Sequence, residues 1–170
     1  VIATLALGVA LAVAGCGSSS NSSGEAGYGS SGESTAASKP ASSESSGGAA
    51  TLDVRNVGGD AGTVLVDSKG FTLYYFEKDK KGGSSTCYGA CAGGWPPLTT
   101  EGAPKGMSGV QASKLGTTKR SDGTMQVTYA GWPLYTYVAD TKPGEDNGTD
   151  VKAFGASWYP LHPNGEKAGH

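Results

Sequence analysis

Residues 51–170 predict an all-β fold. Two tandem four-strand repeats, about 51–100 and 113–163, form a pseudo-symmetric sandwich or barrel-like domain. Three observations carry this expectation. One phrase occurs twice, as Gly70-Phe71-Thr72-Leu73-Tyr74-Tyr75-Phe76-Glu77-Lys78-Asp79 and as Gly131-Trp132-Pro133-Leu134-Tyr135-Thr136-Tyr137-Val138-Ala139-Asp140, offset by 61 residues without a gap. The segments leading into each copy alternate apolar and polar residues with the period of a strand. No window carries apolar residues at helical spacing over three turns, and 29 glycines in 170 residues disfavour long helices.

The elements follow in order. Thr51 to Val57 alternates, and Thr63 to Asp67 is β-branched and apolar. Ser68-Lys69-Gly70 supplies a turn into an aromatic strand from Phe71 to Lys78. A Gly/Ser-rich loop with Cys87 and Cys91 then leads to Trp95-Pro96-Pro97-Leu98. In the second repeat Lys114 to Arg120 is a polar strand, Ser121-Asp122-Gly123 a tight turn, and Thr124 to Tyr129 alternates. Trp132 to Val138 repeats the aromatic strand, and Trp158-Tyr159-Pro160-Leu161 begins 63 residues after the first Trp-x-Pro-Leu. Successive strand residues face opposite ways. Tyr74 and Phe76 therefore share one face, as do Tyr135 and Tyr137, while Leu73 and Leu134 point to the other. The leading glycines, Gly70 and Gly131, permit a positive φ at the turn.

The chain ahead of the repeats is of a different kind. Residues 1–15 are apolar or small, as in the core of a secretory signal peptide, and are too few to span a membrane as a helix. Val13-Ala14-Gly15-Cys16 has the lipobox pattern of bacterial lipoproteins. It predicts a lipidated Cys16 as the mature N-terminus, with acyl chains that anchor the protein at ~0.8 kcal/mol per buried methylene. Residues 16–50 then form a Ser/Gly linker that cannot bury enough apolar surface to order itself. Its root-mean-square span is about 30–35 Å. The expected location is extracytoplasmic, on a membrane. With a net charge of −2 and both signs interspersed, there is no basic stripe for nucleic acid.

Lipobox, linker and paired Tyr-x-aromatic-x-x-Asp phrases together resemble the bacterial secreted-repeat lipoproteins, a family described by its Yx(FWY)xxD motif. The resemblance covers roughly residues 51–165, with Tyr74, Phe76, Asp79 and Tyr135, Tyr137, Asp140 at the motif positions. Cys87-x-x-x-Cys91 ahead of Trp95 also resembles the usual ending of the first repeat. The resemblance implies an envelope lipoprotein without established catalytic activity or cofactor.

Candidate chemistry is sparse. An isolated cysteine pair outside the cytoplasm reads as a local disulfide. Its alternative is a thiol pair that cycles redox equivalents or binds copper, with His162 as third ligand and Met107 or Met125 as soft donors. Asp79 and Asp140 read as strand-ending groups that bond the backbone of the following loop, in equivalent but separate corners, rather than as paired catalytic carboxylates. The loop from Asp140 to Asp150 is rich in oxygen but fits no EF-hand register. Trp95 and Trp158 repeat in phase and are expected in the core; with Trp132, Tyr88 and Tyr159 they would otherwise offer an aromatic ligand surface. The expected function is that of a non-catalytic envelope module binding another envelope protein or a small ligand. A redox or copper-handling accessory acting through Cys87 and Cys91 is the alternative.

Overall fold

A computed structural model describes residues 48–170. The expected signal peptide, Cys16 and nearly all of the linker lie outside the described residues. Among the described residues, nine short strands form three three-stranded sheets. They are β1 (Thr51–Asn56), β2 (Thr63–Asp67), β3 (Tyr74–Phe76), β4 (Lys105–Gly106), β5 (Leu115–Lys119), β6 (Met125–Tyr129), β7 (Trp132–Pro133), β8 (Val151–Ala153) and β9 (Ala156–Pro160). The orders are β2-β1-β4, β3-β9-β8 and β5-β6-β7. The fold is all-β as expected, and its sheets do not close into a barrel.

Local chemistry sets the hairpins. β1 and β2 pair antiparallel from Leu52↔Asp67 to Asn56↔Thr63, and β5 and β6 from Leu115↔Tyr129 to Lys119↔Met125. After β2, Asp67 Oδ1 accepts from the Lys69 and Phe71 amides, and Gly70 takes φ 88°. Gly131 takes φ 87° at the matching turn. These are the left-handed values that favour glycine.

The aromatic strands are shorter than the sequence implies. Only Tyr74–Phe76 and Trp132–Pro133 are regular, and the remaining pairing is made by single bridges, including Val66↔Thr72 and Tyr74↔Tyr135. The first Trp-x-Pro-Leu is held by a bridge at Pro97 rather than by a regular strand, because Pro96 and Pro97 have no amide to donate to a ladder. Several elements are not legible in the pattern, among them a 3-10 turn over Ala112–Lys114. A five-residue helix α1 (Ala90–Gly94) lies in the cysteine loop, β4 pairs parallel to β1, and β8 packs on β9.

The repeats are interlaced. Tyr74 and Tyr135 face each other and exchange both backbone hydrogen bonds, at 2.8 and 2.9 Å. Around that point each repeat gives its last strand to the other. β9 of the second repeat pairs with β3 of the first, setting Tyr74 against Pro160 and Phe76 against Trp158. The first repeat reciprocates at Pro97↔Tyr135, and the Thr136 amide donates to the Pro96 carbonyl at 2.9 Å. Likewise the Leu65 amide donates to Leu161, and the Val127 amide to Leu98.

The motif strands separate two apolar clusters, as their alternation predicts. One face contributes Leu73, Tyr75 and Leu134 to a cluster with Leu52, Leu65 and Val127. The other contributes Tyr74, Phe76 and Tyr135 to a cluster with Cys87, Cys91, Trp95 and Trp158.

Candidate functional site

The motif aromatics, the two cysteines, Trp95 and Trp158 converge in the second cluster, and it is filled. Phe76, Trp158, Trp95 and Tyr137 form one continuous stack with successive centroids 4.1, 4.0 and 4.0 Å apart and planes within 16°. Its central pair is one tryptophan from each repeat. Tyr74 meets Trp95 edge-on at 5.4 Å, and Tyr135 meets Trp158 edge-on at 5.1 Å. Offset-stacked and edge-on pairs are the favoured geometries, each contributing about 0.5–1.5 kcal/mol beyond area burial. Trp95 and Trp158 are core residues, as expected. Trp132 is half-buried against Tyr75, and Tyr88 lies under the Arg120 guanidinium. These rings do not assemble into a ligand surface.

The motif aspartates do what the sequence suggests, and more. Asp79 Oδ1 accepts from the Thr86 amide at 2.7 Å, and Asp140 Oδ1 accepts from the Asn147 amide at 2.9 Å, so each carboxylate ties down the loop after its strand. Each corner is also shared between the repeats. The Tyr74 hydroxyl donates to Asp140 Oδ2 at 2.7 Å, and the Tyr135 hydroxyl donates to Asp79 Oδ2 at 2.6 Å. Each repeat's tyrosine is held by the other repeat's aspartate. Tyr74 and Tyr135 pair backbone to backbone at the boundary between the repeats, and from there each hydroxyl reaches the opposite repeat's carboxylate. Burial raises the Asp140 carboxyl above the usual range, while the hydrogen bonds from Tyr74 and Asn147 act against that rise. Burial and then the facing carboxylate push the Tyr74 and Tyr135 phenols well above their ordinary value.

The two corners differ in their second layer. Beside Tyr135 lies Ser85, and Ser85 Oγ receives Arg120 Nη1–H at 2.9 Å. Tyr135 has one proton, and an ionised carboxylate only accepts. Tyr135 therefore donates to Asp79, and Ser85 donates to the Tyr135 oxygen at 2.7 Å. The chain Arg120–Ser85–Tyr135–Asp79 relays a buried cation to a buried anion through two hydroxyls. Arg120 is 3% exposed, so its other contacts matter: it donates to Gln126 Oε1 at 2.8 Å and to the Cys87 carbonyl at 2.8 Å. Beside Tyr74 there is no arginine. The Gly148 amide donates to the Tyr74 hydroxyl oxygen at 3.2 Å instead.

Ser85, Arg120, Gln126 and Gly148 were not singled out by the sequence reading. In the structure Val127 takes the place of Leu65, so Gln126 takes that of buried Val64, although the alternation of its strand marks it as a polar position. Its amide donates to the Leu134 carbonyl at 2.7 Å.

Cys87 and Cys91 are joined as a disulfide, and both are buried. The copper set does not assemble. Among the described residues no three His, Cys, Asp or Glu side chains lie together as a metal group. His162 Nδ1 pairs with the Thr63 carbonyl at 2.7 Å, and Met107 is exposed on the surface, as is Met125. In the oxygen-rich loop, Glu145 Oε2 is turned back onto the Thr141 and Lys142 amides, and Asp140 faces inward. A shallow depression of ≈ 570 Å³ lies elsewhere, lined by residues including Ala103, Leu115, Thr117 and Met125.

A family model described as a secreted repeat of unknown function matches residues 57–99 and again 116–162, the two interlaced halves. No curated protein and no solved structure matches the chain.

Proposed function

The chain belongs to this family of secreted repeats of unknown function, and on that premise we propose that it is a membrane-anchored, non-catalytic module that presents a rigid β surface to a partner in the cell envelope. The observation that carries the reading is where the reactive groups lie. Asp79, Asp140, Tyr74, Tyr135 and the Cys87–Cys91 pair are all consumed inside the core, each bonded to another part of the protein. General acid–base or nucleophilic work needs such groups at a cleft within reach of a substrate. A core with so many satisfied long-range bonds instead makes a surface of fixed shape, which lowers the ordering cost of binding.

The lipobox supports anchoring through Cys16, and the Ser/Gly composition of residues 17–50 supports a tether that lets the domain reach nearby surfaces. Two measurements test the reading. Cys16→Ser releases the protein from the membrane fraction and abolishes incorporation of labelled fatty acid; retention of both refutes the anchor. Asp79→Asn and Asp140→Asn, at wild-type abundance and with folded far-UV spectra, restore the phenotype of a deletion strain. Loss of that phenotype with the fold intact refutes the non-catalytic reading.

A further inference from the structure

Each repeat lacks its own last strand and is completed by the other. β9 leaves the second repeat for β3, and Pro96–Leu98 leaves the first repeat for residues 134–136. The side chains repeat the exchange, since each tyrosine is held by the other repeat's aspartate. This interface requires one copy of each repeat. It does not require that both copies belong to one chain.

The connection between the repeats is short and mostly exposed, although Val110 packs on the core and Gly109 lies close against Val54. Residues 101–113 are exposed apart from half-buried Pro104 and Val110. The first repeat holds this segment as far as Met107, whose amide donates to Leu52 at 2.8 Å. The second repeat takes hold at Gln111, whose amide donates to the Tyr129 hydroxyl at 3.0 Å. Between these anchors lie only Ser108, Gly109 and Val110, with Gly109 at φ 92°.

We propose that two copies of this chain exchange repeats about the 108–110 hinge and close as a reciprocal dimer holding two complete modules. Every bond between the repeats is then re-formed between chains, and only the hinge changes conformation. In dilute solution the closed monomer dominates, because a short connection holds the second repeat at an effective concentration on the order of mM. The exchanged dimer forms when chains fold at high local density, and it reverts only by unfolding. A membrane-tethered population provides that density, a point that rests on the anchoring reading above; the exchange itself does not.

The test uses two full-length variants. One carries Phe76→Ala with Trp95→Ala, both lesions in the first repeat. The other carries Tyr137→Ala with Trp158→Ala, both in the second. Refolded alone, each loses the near-UV circular dichroism of the four-ring stack. Refolded together, they form a species of twice the monomer mass with about half the wild-type aromatic signal per chain, since one of its two modules has all four rings. A mixture that equals the sum of the separate variants, with no dimer by sedimentation velocity, overturns the proposal. Where either variant alone keeps the aromatic signal, the readout moves to the wild-type chain refolded at high concentration. A dimer that persists on dilution is then expected, and monomer alone overturns the proposal.

Discussion

Gly148→Ala isolates the packing of the aromatic core from its hydrogen bonds. A Cβ built at Gly148 lies 2.7 Å from Tyr74 Cζ, 2.8 Å from Tyr74 Cε1 and 2.8 Å from Trp95 Cη2. Ordinary carbon contacts begin about 0.7 Å further out, so both rings must move. Neither has room to do so. Trp95 is clamped between Trp158 and Tyr137 at 4.0 Å on each face, and Tyr74 is pinned by Asp140 and by both backbone bonds to Tyr135. Gly148 does not have a positive φ, so the cost is steric and not conformational. Overpacking a filled core costs about 1–3 kcal/mol, and a site closed on all sides belongs at the upper end, about 3 kcal/mol. For a domain of this size that lowers the melting temperature by about 10 °C. Gly93→Ala is the control. Gly93 lies within α1 with nothing within 4 Å of its Cβ position, and alanine there is expected to stabilise by about 0.5–1 kcal/mol. Urea unfolding followed by tryptophan fluorescence reports both. A Gly148→Ala midpoint equal to wild type refutes the reasoning, because the stack would then be loose enough to absorb a methyl group.

Three further outcomes follow from the same geometry. Tyr74 and Tyr135 keep their protons in the folded state well past the pH at which the unfolded chain loses them. Their contribution is therefore complete below about pH 10 and is lost as pH rises beyond it, each tyrosine removing about 1.4 kcal/mol of stability per pH unit; a urea midpoint that stays flat above that pH contradicts it. Arg120→Met leaves Gln126 Oε1 and the Cys87 carbonyl without their buried donor and costs about 3 kcal/mol. Arg120→Lys recovers little of that loss, because one ammonium cannot reach the three directions the guanidinium serves; a lysine variant of wild-type stability rejects the network. Reduction of Cys87–Cys91, four positions apart, costs only about 2 kcal/mol because the ring is small. The reduced domain therefore stays folded at room temperature, and its unfolding on reduction would show a larger role for the disulfide.

Much of the candidate site was legible because duplication and alternation are local properties of a chain. Tyr74, Phe76 and Asp79, like Tyr135, Tyr137 and Asp140, stand out because the phrase repeats in register, and the period of two separates their faces without any coordinates. Cys87 and Cys91 were legible as a pair from their isolation. Arg120 and Ser85 were not. A cation after a polar strand and a serine in a Gly/Ser loop look solvated, and their burial depends on a contact 35 residues apart in the chain. Gly148 was hidden in a polar loop beside Gly144, since only the rings pressed against it distinguish it.

Sequence alone determined that the folded part is all-β, where its two main hairpins lie, which motif residues share a face, and that the unit was copied. Each of these is decided by neighbours along the chain, through side-chain alternation and turn chemistry. Only the tertiary structure decided which strand completes which sheet. Intra-repeat and exchanged pairing use the same residues with the same local preferences. The choice between them is made by long-range packing, in which two tryptophans meet face to face and each tyrosine finds the carboxylate of the opposite repeat.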